Sequence, residues 1–321
     1  ICSDASFRCR LDKTHRPAGA KRWFLRALYE QYDASQETAG WDQPGYDDSG
    51  WFDAMEIPGS PAHASVCTGY GDYAAMTMAA HPEETYLFRR EMPLMAETSF
   101  PASEMVHGDT LQWHTDPDDW FLYRMPGSFT LTPGLAVETR NNTYRFAMPE
   151  GMGAALTFAF SEEAVGFPYF TIEAPEGTVV DILFQESHDP DKTHWLDTSF
   201  FAFSQMTCGR GESRFLSYDY ESIRFMQLHI RPISRPAPVQ ITIKNVGMLR
   251  RTYPFAHEPV FSCSDEKLEK VYQAGINTLR NCAQDILVDG MGRERQQYGG
   301  DGSRQLTAVQ YVLLVLPDDR Q

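Results

Sequence analysis

The sequence has no apolar run long enough to cross a membrane. A spanning helix needs about 20 consecutive apolar residues, and the longest candidate, Tyr311 to Leu316, is followed directly by Pro317. The chain starts with Ile1 and shows no signal peptide, which is compatible with prior removal of the natural N-terminus. We therefore expect no membrane partner, and the sequence leaves the cellular compartment open.

Positive charge is also scarce. The chain has 28 Lys and Arg residues against 44 Asp and Glu residues, which gives a formal net charge of −16. Nucleic acids and anionic membranes bind proteins through basic surfaces, so this balance argues against both as partners. A neutral substrate such as a sugar fits better, although solubility alone also explains the charge.

Metal-site and disulfide patterns are absent too. The six cysteines, at positions 2, 9, 67, 208, 263 and 282, show neither the spacing of a metal site nor a dense disulfide framework. One polar cluster has residues that could bind a metal or a sugar: His188, Asp189, Asp191, His194 and Trp195. Its spacing fits no established ligand set, so a polar loop is favoured. The acidic stretches 42–48 and 116–120 are predicted to be ordinary turns. We expect no metal and no redox or nucleotide cofactor.

The remaining composition is that of a folded globular protein. Hydrophobic residues make up 42% of the chain and charged residues 22%, which excludes a disordered protein. A length of 321 residues is too great for one ordinary core, so two or three domains are expected.

The first three quarters of the chain are typical of β structure. Short aromatic and β-branched runs alternate apolar and polar residues between Gly, Pro and Asp, as strands with one buried face do. Ala174 to Gly177 is a turn signal between two of these runs. The pattern predicts β-sandwiches, and the stretch 20–29 fits either a helix or a strand. The predicted strands are Thr85–Arg90, Tyr144–Met148, Ala155–Phe160, Tyr169–Glu173, Val179–Phe184 and Phe225–Ile230.

The pattern changes near Pro254 to one typical of helices. The first predicted helix runs from Ser264, as its N-cap, to about Ile286, and the second from about Ser303 to Leu316. Apolar residues recur at helical spacing in both helices, and little chain follows to cover them. We therefore expect that an α-helical domain begins here and that the chain ends before this domain is complete.

The densest cluster of reactive chemistry lies between these two helices. Residues Asp289 to Asp301 read Asp-Gly-Met-Gly-Arg-Glu-Arg-Gln-Gln-Tyr-Gly-Gly-Asp, with three carboxylates, two guanidiniums and four glycines. Paired carboxylates beside an aromatic ring are what acid/base cleavage of a glycosidic bond requires. The same composition also fits a solvated loop between helices with local salt bridges.

A division of labour follows from the chemistry. Glu294 is the preferred general acid, because its neighbours Arg293 and Arg295 project away from its own side, so that at most one of them is expected to touch it. Burial or a nearby carboxylate would raise its pKa towards the working pH. The other members are assigned to the sugar, with hydroxyl contacts from the aspartates and stacking by the tyrosine: Asp289, Arg293, Tyr298 and Asp301.

This segment resembles the active-site signature of the α-L-rhamnosidases of glycoside hydrolase family 78. The family signature usually reads Asp-Cys-Pro-x-Arg-(Asp)-Glu-Arg-x-x-Trp-x-Gly-Asp. Here Gly290 and Met291 replace Cys-Pro, and Tyr298 replaces Trp. The matching residues are Asp289, Arg293, Glu294, Arg295, Gly300 and Asp301.

The resemblance extends from about Ala155 to Gln321. The segments 158–168, 177–186 and 222–228 are similar to the family's β-domain, except that Ala-Phe-Ser stands where the family has Asp-Phe-Gly. The segment 261–265 and the helix after it resemble the entry into the family's (α/α)6 barrel. Further upstream, Tyr46 to Trp51 looks like a turn of galactose-binding-like sandwiches.

The resemblance implies both an architecture and an activity. It predicts a galactose-binding-like β-sandwich region at 1–150, a second β-sandwich at 151–255 and the start of an (α/α)6 barrel at 256–321. It implies inverting hydrolysis of terminal α-L-rhamnosides, with Glu294 as general acid and the other four assigned residues at sugar-binding positions. The family's general base is another Glu, placed beyond residue 321, so this chain alone is expected to be poorly active. The changed pocket wall leaves the exact sugar open.

Two other classes of function remain open from the sequence. One is a carbohydrate-binding β-sandwich protein without catalysis, and the other is a structural scaffold without a sugar site. Binding of saccharide after deletion of residues 256–321 would favour the first, and a failure to bind any glycan would favour the second. A homodimer is left open.

Overall fold

The computed structural model of the chain describes residues 5–16, 29–55, 65–67, 75–77, 92–123, 127–196, 203–234, 238–255, 260–292 and 294–312. Within these ranges the protein is mainly β. The strands are β1 (Arg8–Cys9), β2 (Gln31–Asp33), β3 (Phe52–Asp53), β4 (Ser65–Cys67), β5 (Ala75–Thr77), β6 (Ala96–Pro101), β7 (Glu104–Trp113), β8 (Phe129–Pro133), β9 (Val137–Thr139), β10 (Thr143–Met148), β11 (Gly153–Glu173), β12 (Val179–Gln185), β13 (Phe203–Thr207), β14 (Glu212–Leu216), β15 (Glu221–Ile230) and β16 (Val239–Thr252). The helices are α1 (Pro117–Tyr123), α2 (Glu266–Cys282) and α3 (Gly299–Val312), with a 3₁₀ turn at Ala34–Gln36. None of the helices in the described ranges is long and apolar enough to span a membrane.

The chain divides into two compact units. The first contains residues 1–12 and 38–93, and the second contains residues 13–37 and 94–321. The first unit holds two small antiparallel pairs, β1 with β3 and β4 with β5. In it the rings of Tyr46 and Trp51, from the predicted galactose-binding-like turn, meet edge to face at 5.8 Å. The predicted domain boundaries after residues 150 and 255 stay predictions.

The second unit is built around one 12-stranded sheet that forms two packed layers. The first half of β11 pairs with β7 and β15, and its second half pairs with β14 and β16. The register changes between Ala159 and Ala164, which lets this single strand belong to both layers. The sequence predicts two strands here, 155–160 and 169–173, whereas the structure has one strand, because β propensity does not show whether the intervening residues continue the pairing.

The core lies between the two layers. Alternate residues of the first layer, such as Leu156, Phe158 and Leu228, pack in one buried cluster with Phe146 and Ile243 of the second. All five are at most 3% exposed. Where the second half of β11 passes β16, a Cβ on Gly166 would lie 2.1 Å from the carbonyl oxygen of Leu249. Only glycine permits that approach of the two backbones.

The predicted strands agree with the observed ones where both can be compared. Tyr144–Met148, Val179–Phe184 and Phe225–Ile230 lie inside β10, β12 and β15. The predicted strand 85–90 and residues 20–28 lie outside the described residues.

The sequence predicts an ordinary turn at 116–120. In the structure this acidic stretch instead leads into helix α1. Trp120 of this helix is 2% exposed and packs beside Phe121 in a second, smaller cluster on the outer face of the first layer. Asp118 forms an ion pair with Arg231, at 2.5 Å between Oδ1 and Nη1. Apolar burial of Trp120 therefore forms the helix at a site where composition alone indicates a polar turn.

Helix α2 is shorter than predicted. Its N-cap is Asp265, not Ser264, because the Asp265 carboxylate accepts a hydrogen bond from the Lys267 N–H at 2.9 Å. The helix ends at Cys282 rather than near Ile286, since Ala283 is extended and its N–H bonds to the Leu279 carbonyl. Helix α3 begins at Gly299, four residues before the predicted start, and it is described as far as Val312.

Polar side chains of α2 attach it to the sandwich. The side-chain amides of Asn277 and Asn281 both donate to the carbonyl oxygen of Glu163 in β11, at 2.8 and 3.1 Å. The Arg250 guanidinium of β16 donates to Asn277 Oδ1 at 2.7 Å. In contrast, Leu268 and Val271 of the predicted apolar face are 55% and 69% exposed. The helix is therefore held by hydrogen bonds and leaves much of its apolar face open.

Candidate active site

The loop between α2 and α3 is closed by its own backbone. The N–H of Asp289 donates to the Gln296 carbonyl at 2.9 Å, and the N–H of Gln296 returns a bond to Asp289 Oδ1 at 2.8 Å. Just before this stem, the Val288 carbonyl accepts from the Gln305 side chain of α3 at 2.7 Å. We call residues 289–296 the acid loop, because they include Glu294.

The acid loop is attached to the sandwich by Arg295. Its Nη1 lies 3.2 Å from both carboxylate oxygens of Asp219, and its Nη2 donates to Glu221 at 3.0 Å. Its Nε donates to the Met291 carbonyl at 2.7 Å, within the loop itself. The guanidinium also lies over the Tyr220 ring, 4.7 Å from the centroid. Every nitrogen of this side chain is therefore engaged at the interface of the loop with the sheet.

Arg295 occupies an unusual backbone conformation. Its φ is +53°, in the left-handed region that residues with a Cβ rarely adopt. Burial lowers the pKa of Arg295, but the Glu221 and Asp219 carboxylates more than offset that effect and hold its pKa above the ordinary value. The paired charges therefore compensate the strain and the burial, and they neutralise the cation that follows Glu294 in the chain.

A second contact lies beneath the acid loop. Gly292 contacts Glu186, which follows β12, so closely that a Cβ at position 292 would lie 2.4 Å from Glu186 Oε1. Burial raises the pKa of Glu186 above its ordinary value, and the Glu163 carboxylate adds to the rise. Ser222, Arg295 and the Gly292 N–H each lower it in part. The site therefore includes a sandwich carboxyl that keeps its proton to a higher pH than an ordinary glutamate does.

The buried thiol of Cys282 lies in the same environment. It packs with Val165, Val288 and Met291, all at most 5% exposed. Burial raises its pKa to about 11, with further contributions from Glu163 and nearby carboxylates. A thiol of this kind is unreactive near neutral pH, so its role here is packing.

The predicted site residues lie along one short stretch of chain. Asp289 is at the stem of the acid loop and Glu294 is half-buried within it, next to Arg295. Tyr298, 37% exposed, precedes α3, and the exposed Asp301 lies in the first turn of that helix. Arg293 lies outside the described residues. The structure therefore places Asp289, Glu294, Tyr298 and Asp301 at one end of α3, while the part that each plays with a sugar stays a prediction.

Sequence reasoning missed the residues that hold the loop. Asp219 and Glu221 have no motif of their own, and Glu163 and Glu186 enter the sequence analysis only as members of family-like segments. The one available signal is that Glu186 directly follows the apolar strand β12, so that it lies at the end of an interior strand of the sheet.

The histidine-bearing stretch before Trp195 covers the sheet instead of forming a separate site. Gln227, fully buried, donates to Thr157 Oγ1 at 2.6 Å and to the His194 carbonyl at 2.7 Å. The His194 ring bonds to Asp109 through Nδ1 at 2.9 Å and stacks on His107 at 3.7 Å between centroids. No group of three His, Cys, Asp or Glu residues in the described parts of the chain has the arrangement of a metal site.

The fold is similar to that of solved rhamnosidases. A family 78 rhamnosidase of Bacillus sp. GL1 matches 96% of this chain with a TM-score of 0.71 and 14% sequence identity. An α-L-rhamnosidase of Dictyoglumus thermophilum matches 88% of this chain with a TM-score of 0.53 and 17% identity. No protein-family profile matches the chain, and no curated protein matches it by sequence.

The fold is rhamnosidase-like. The chain spans 49% of the length of the Bacillus rhamnosidase and 25% of that of the Dictyoglumus enzyme. At these identities the likeness concerns the fold, and the chemistry must be argued from the residues of this chain.

Proposed function

We propose that this protein is an α-L-rhamnosidase-like glycoside hydrolase that removes a terminal rhamnose, or a related sugar, by inverting acid/base catalysis. The single observation that carries the proposal is the acid loop, a rhamnosidase-like segment attached to the sandwich of a rhamnosidase-like fold through Arg295. A solvated loop between helices would not need a buried guanidinium with two carboxylate partners.

Glu294 is the proposed general acid that protonates the glycosidic oxygen. It is half-buried, and the adjacent Arg295 has its charge matched by Asp219 and Glu221, so this guanidinium supplies no unmatched positive charge beside the acid. In an inverting mechanism, a second carboxylate activates water on the opposite face of the sugar, about 6.5–9.5 Å away. We propose that a glutamate of the remaining barrel supplies it.

The sugar-binding roles go to residues around the acid. Asp289 uses Oδ1 within the loop stem, which leaves its Oδ2 as a candidate partner for a sugar hydroxyl. In the proposal, Asp301 in the first turn of α3 accepts a further hydrogen bond from the sugar, and Arg293 donates one to it. The ring of Tyr298, partly exposed at the entrance to α3, is proposed to stack on the apolar face of the sugar.

Helices α2 and α3 are proposed as the first helices of the (α/α)6 barrel. Leu268, Val271, Leu306 and Tyr311 are 48–87% exposed in the described structure. Barrel helices bury such side chains against neighbouring helices, so this exposure supports the proposal.

The decisive experiment uses Glu294→Gln in the longest natural chain that contains this sequence. With nitrophenyl α-L-rhamnoside, loss of the general acid should lower kcat by about 10²- to 10⁴-fold. With α-L-rhamnosyl fluoride, whose leaving group needs no protonation, Glu294→Gln should keep most of the wild-type kcat. Proton NMR of the first product should show the inverted anomer.

Gln297→Ala is the matched control, because Gln297 is an exposed neighbour in the same segment. It should leave both rates within about twofold, as surface substitutions usually do. Normal turnover of the nitrophenyl substrate by Glu294→Gln would overturn the role of Glu294, and equal loss with both substrates would point to a damaged site.

A carbohydrate-binding function without catalysis is the second candidate, and one feature favours it. A groove of about 580 Å³ lies at an edge of the sandwich and is lined by Trp113, Arg231, Glu176, Thr178 and other residues. An aromatic ring beside polar side chains suits a saccharide. If this groove is the functional site, Trp113→Ala should abolish glycan binding while Glu294→Gln leaves it unchanged. Glycan binding that survives in Trp113→Ala, together with loss of turnover but not of binding in Glu294→Gln, would favour the hydrolase.

A further inference from the structure

The Glu186 carboxyl occupies the space where a side chain at position 292 would be. A Cβ built on Gly292 would meet Glu186 Oε1 at 2.4 Å, Cδ at 2.5 Å and Oε2 at 2.7 Å. The Gly292 N–H also acts on the Glu186 carboxyl and lowers its pKa in part. Gly292 does not have a positive φ, so the requirement for glycine is one of space rather than of backbone conformation. The carboxyl thus touches the acid loop two residues before Glu294.

Glu186 shares its surroundings with a second carboxylate. Glu163 of β11 accepts a hydrogen bond from Ser222 Oγ at 2.8 Å, and Ser222 also lowers the pKa of Glu186 in part, so the hydroxyl lies near both acids. Among the described residues, Arg295 is a cation that lowers the pKa of Glu186 in part, and its charge is already matched by two other carboxylates. Beside them lies the buried Cys282 of α2. The cluster of Glu186 and Glu163 therefore carries an excess of negative charge. This excess raises the pKa of Glu186.

The same group joins three elements of the fold. The backbone of Glu163 holds α2 through two asparagine side chains, at 2.8 and 3.1 Å. Its side chain reaches β15 through Ser222, and Glu186 at the end of β12 contacts the acid loop. The Glu186 carboxyl therefore lies where the acid loop, the sheet and α2 meet.

We propose that Glu186 is a positioning residue, which fixes the backbone of the acid loop at Gly292 and thereby sets the placement of Glu294. The inference rests on the proposed function for its catalytic consequence, but the contact itself does not depend on that function. Burial is the largest cause of the raised pKa of Glu186, and the Gly292 N–H and Arg295 of the loop each favour the ionised form by less. Because the docked loop helps to cover the carboxyl, docking is expected to be strongest below the pKa of Glu186 and to weaken as the pH rises through it.

The first test is a double-mutant cycle on the contact, read by hydrogen–deuterium exchange of the acid loop in this chain. Gly292→Ala should separate the loop from the carboxyl, through a shift of the Glu186 side chain or of the loop, and the lost contact should raise the exchange rate of the loop about tenfold or more. Glu186→Ala removes the obstructing group, so Gly292→Ala added to it should raise the rate by less than about twofold. An equal effect of Gly292→Ala in both backgrounds would overturn the proposal.

The second test separates charge from shape. Glu186→Gln keeps an acceptor for the Gly292 N–H but cannot ionise. After correction for intrinsic exchange, wild type should lose loop protection as the pH rises, and Glu186→Gln should keep it. Glu150→Gln, an exposed carboxyl elsewhere on the sandwich, is the control and should behave as wild type. Parallel pH profiles for wild type and Glu186→Gln would refute the pH dependence.

The third test links the contact to catalysis in the longest natural chain. Gly292→Ala should lower kcat for the nitrophenyl rhamnoside about 10- to 100-fold, with KM changed less than about threefold, because a misplaced acid affects the transition state more than binding. Glu186→Gln should shift the alkaline limb of the kcat profile to higher pH.

If wild type turns over no glycoside while the exchange cycle is still non-additive, the proposed function fails and the contact stands. If wild type turns over the glycoside but neither Gly292→Ala nor Glu186→Gln changes kcat or its pH profile, the positioning role is wrong.

Discussion

At the scale of single residues, Arg295 shows how position in the fold decides a role. The sequence assigns Arg295 no role beyond its match to the family signature, whereas in the structure its side chain is only 8% exposed and holds the loop to Asp219 and Glu221. These partners lie 76 and 74 positions away in the chain. Arg295 is therefore a structural residue of the acid loop.

Substitution of Arg295 by Met should destabilise the protein by about 3–5 kcal/mol, because it leaves the buried Glu221 carboxylate without its cation. The free energy of unfolding in urea measures the effect. Arg210→Met is the matched control, since Arg210 is 88% exposed and pairs with a surface glutamate. It should cost at most about 1 kcal/mol. Equal costs for the two variants would contradict the anchoring role of Arg295.

At the scale of elements, the ends of α2 depend on atoms that a periodic pattern does not contain. The apolar spacing indicates a helix correctly, but both Ser264 and Asp265 are good N-cap residues by type. Only the hydrogen bond from the Lys267 N–H to Asp265 identifies the cap. The cap fixes where the helix starts and thus the length of chain that reaches the acid loop.

The two candidate caps can be compared by substitution. Asp265→Ala should destabilise the protein by about 1 kcal/mol, because the helix loses its N-cap acceptor and a favourable charge at its N-terminus. Ser264→Ala, one residue earlier, should change the stability by no more than a few tenths of a kcal/mol. Thermal unfolding of both variants gives the comparison. A larger loss for Ser264→Ala would restore the boundary expected from the sequence.

At the scale of the whole molecule, two buried cysteines can be used to measure whether the sandwich core and the end of α2 are protected from solvent. Cys208 lies in the sandwich core and Cys282 at the end of α2, and both are free thiols. Burial raises their pKa values, to about 12 and about 11. In contrast, Cys9 in the first unit is an exposed free thiol.

Alkylation at pH 8 should therefore modify Cys9 quickly and the two buried thiols slowly. The thiolate is the reactive form, and an upward shift of two to three pKa units lowers its population about 100- to 1,000-fold, before protection by burial is counted. Peptide mass mapping over time gives the rates. Full labelling of all three in denaturant is the control, and rapid native labelling of Cys282 would show that α2 does not stay docked on the sheet.

The amino-acid sequence by itself determined the local features of this protein. Alternation of apolar and polar residues identified β10, β12 and β15, and helical spacing identified α2 and α3, because these patterns repeat over neighbouring residues. The run from Asp289 to Asp301 indicated the candidate site for the same reason, since its chemistry is contiguous in the chain.

The tertiary structure alone decided which distant residues meet. It joined two predicted strands into the single bent β11, placed the acidic stretch at 116–120 in a helix whose Trp120 is buried, and paired Arg295 with Asp219 and Glu221. It also placed Glu186 beneath Gly292. The physical reason is that burial and electrostatic pairing depend on distances in space, and local propensity carries no information about groups separated by many residues.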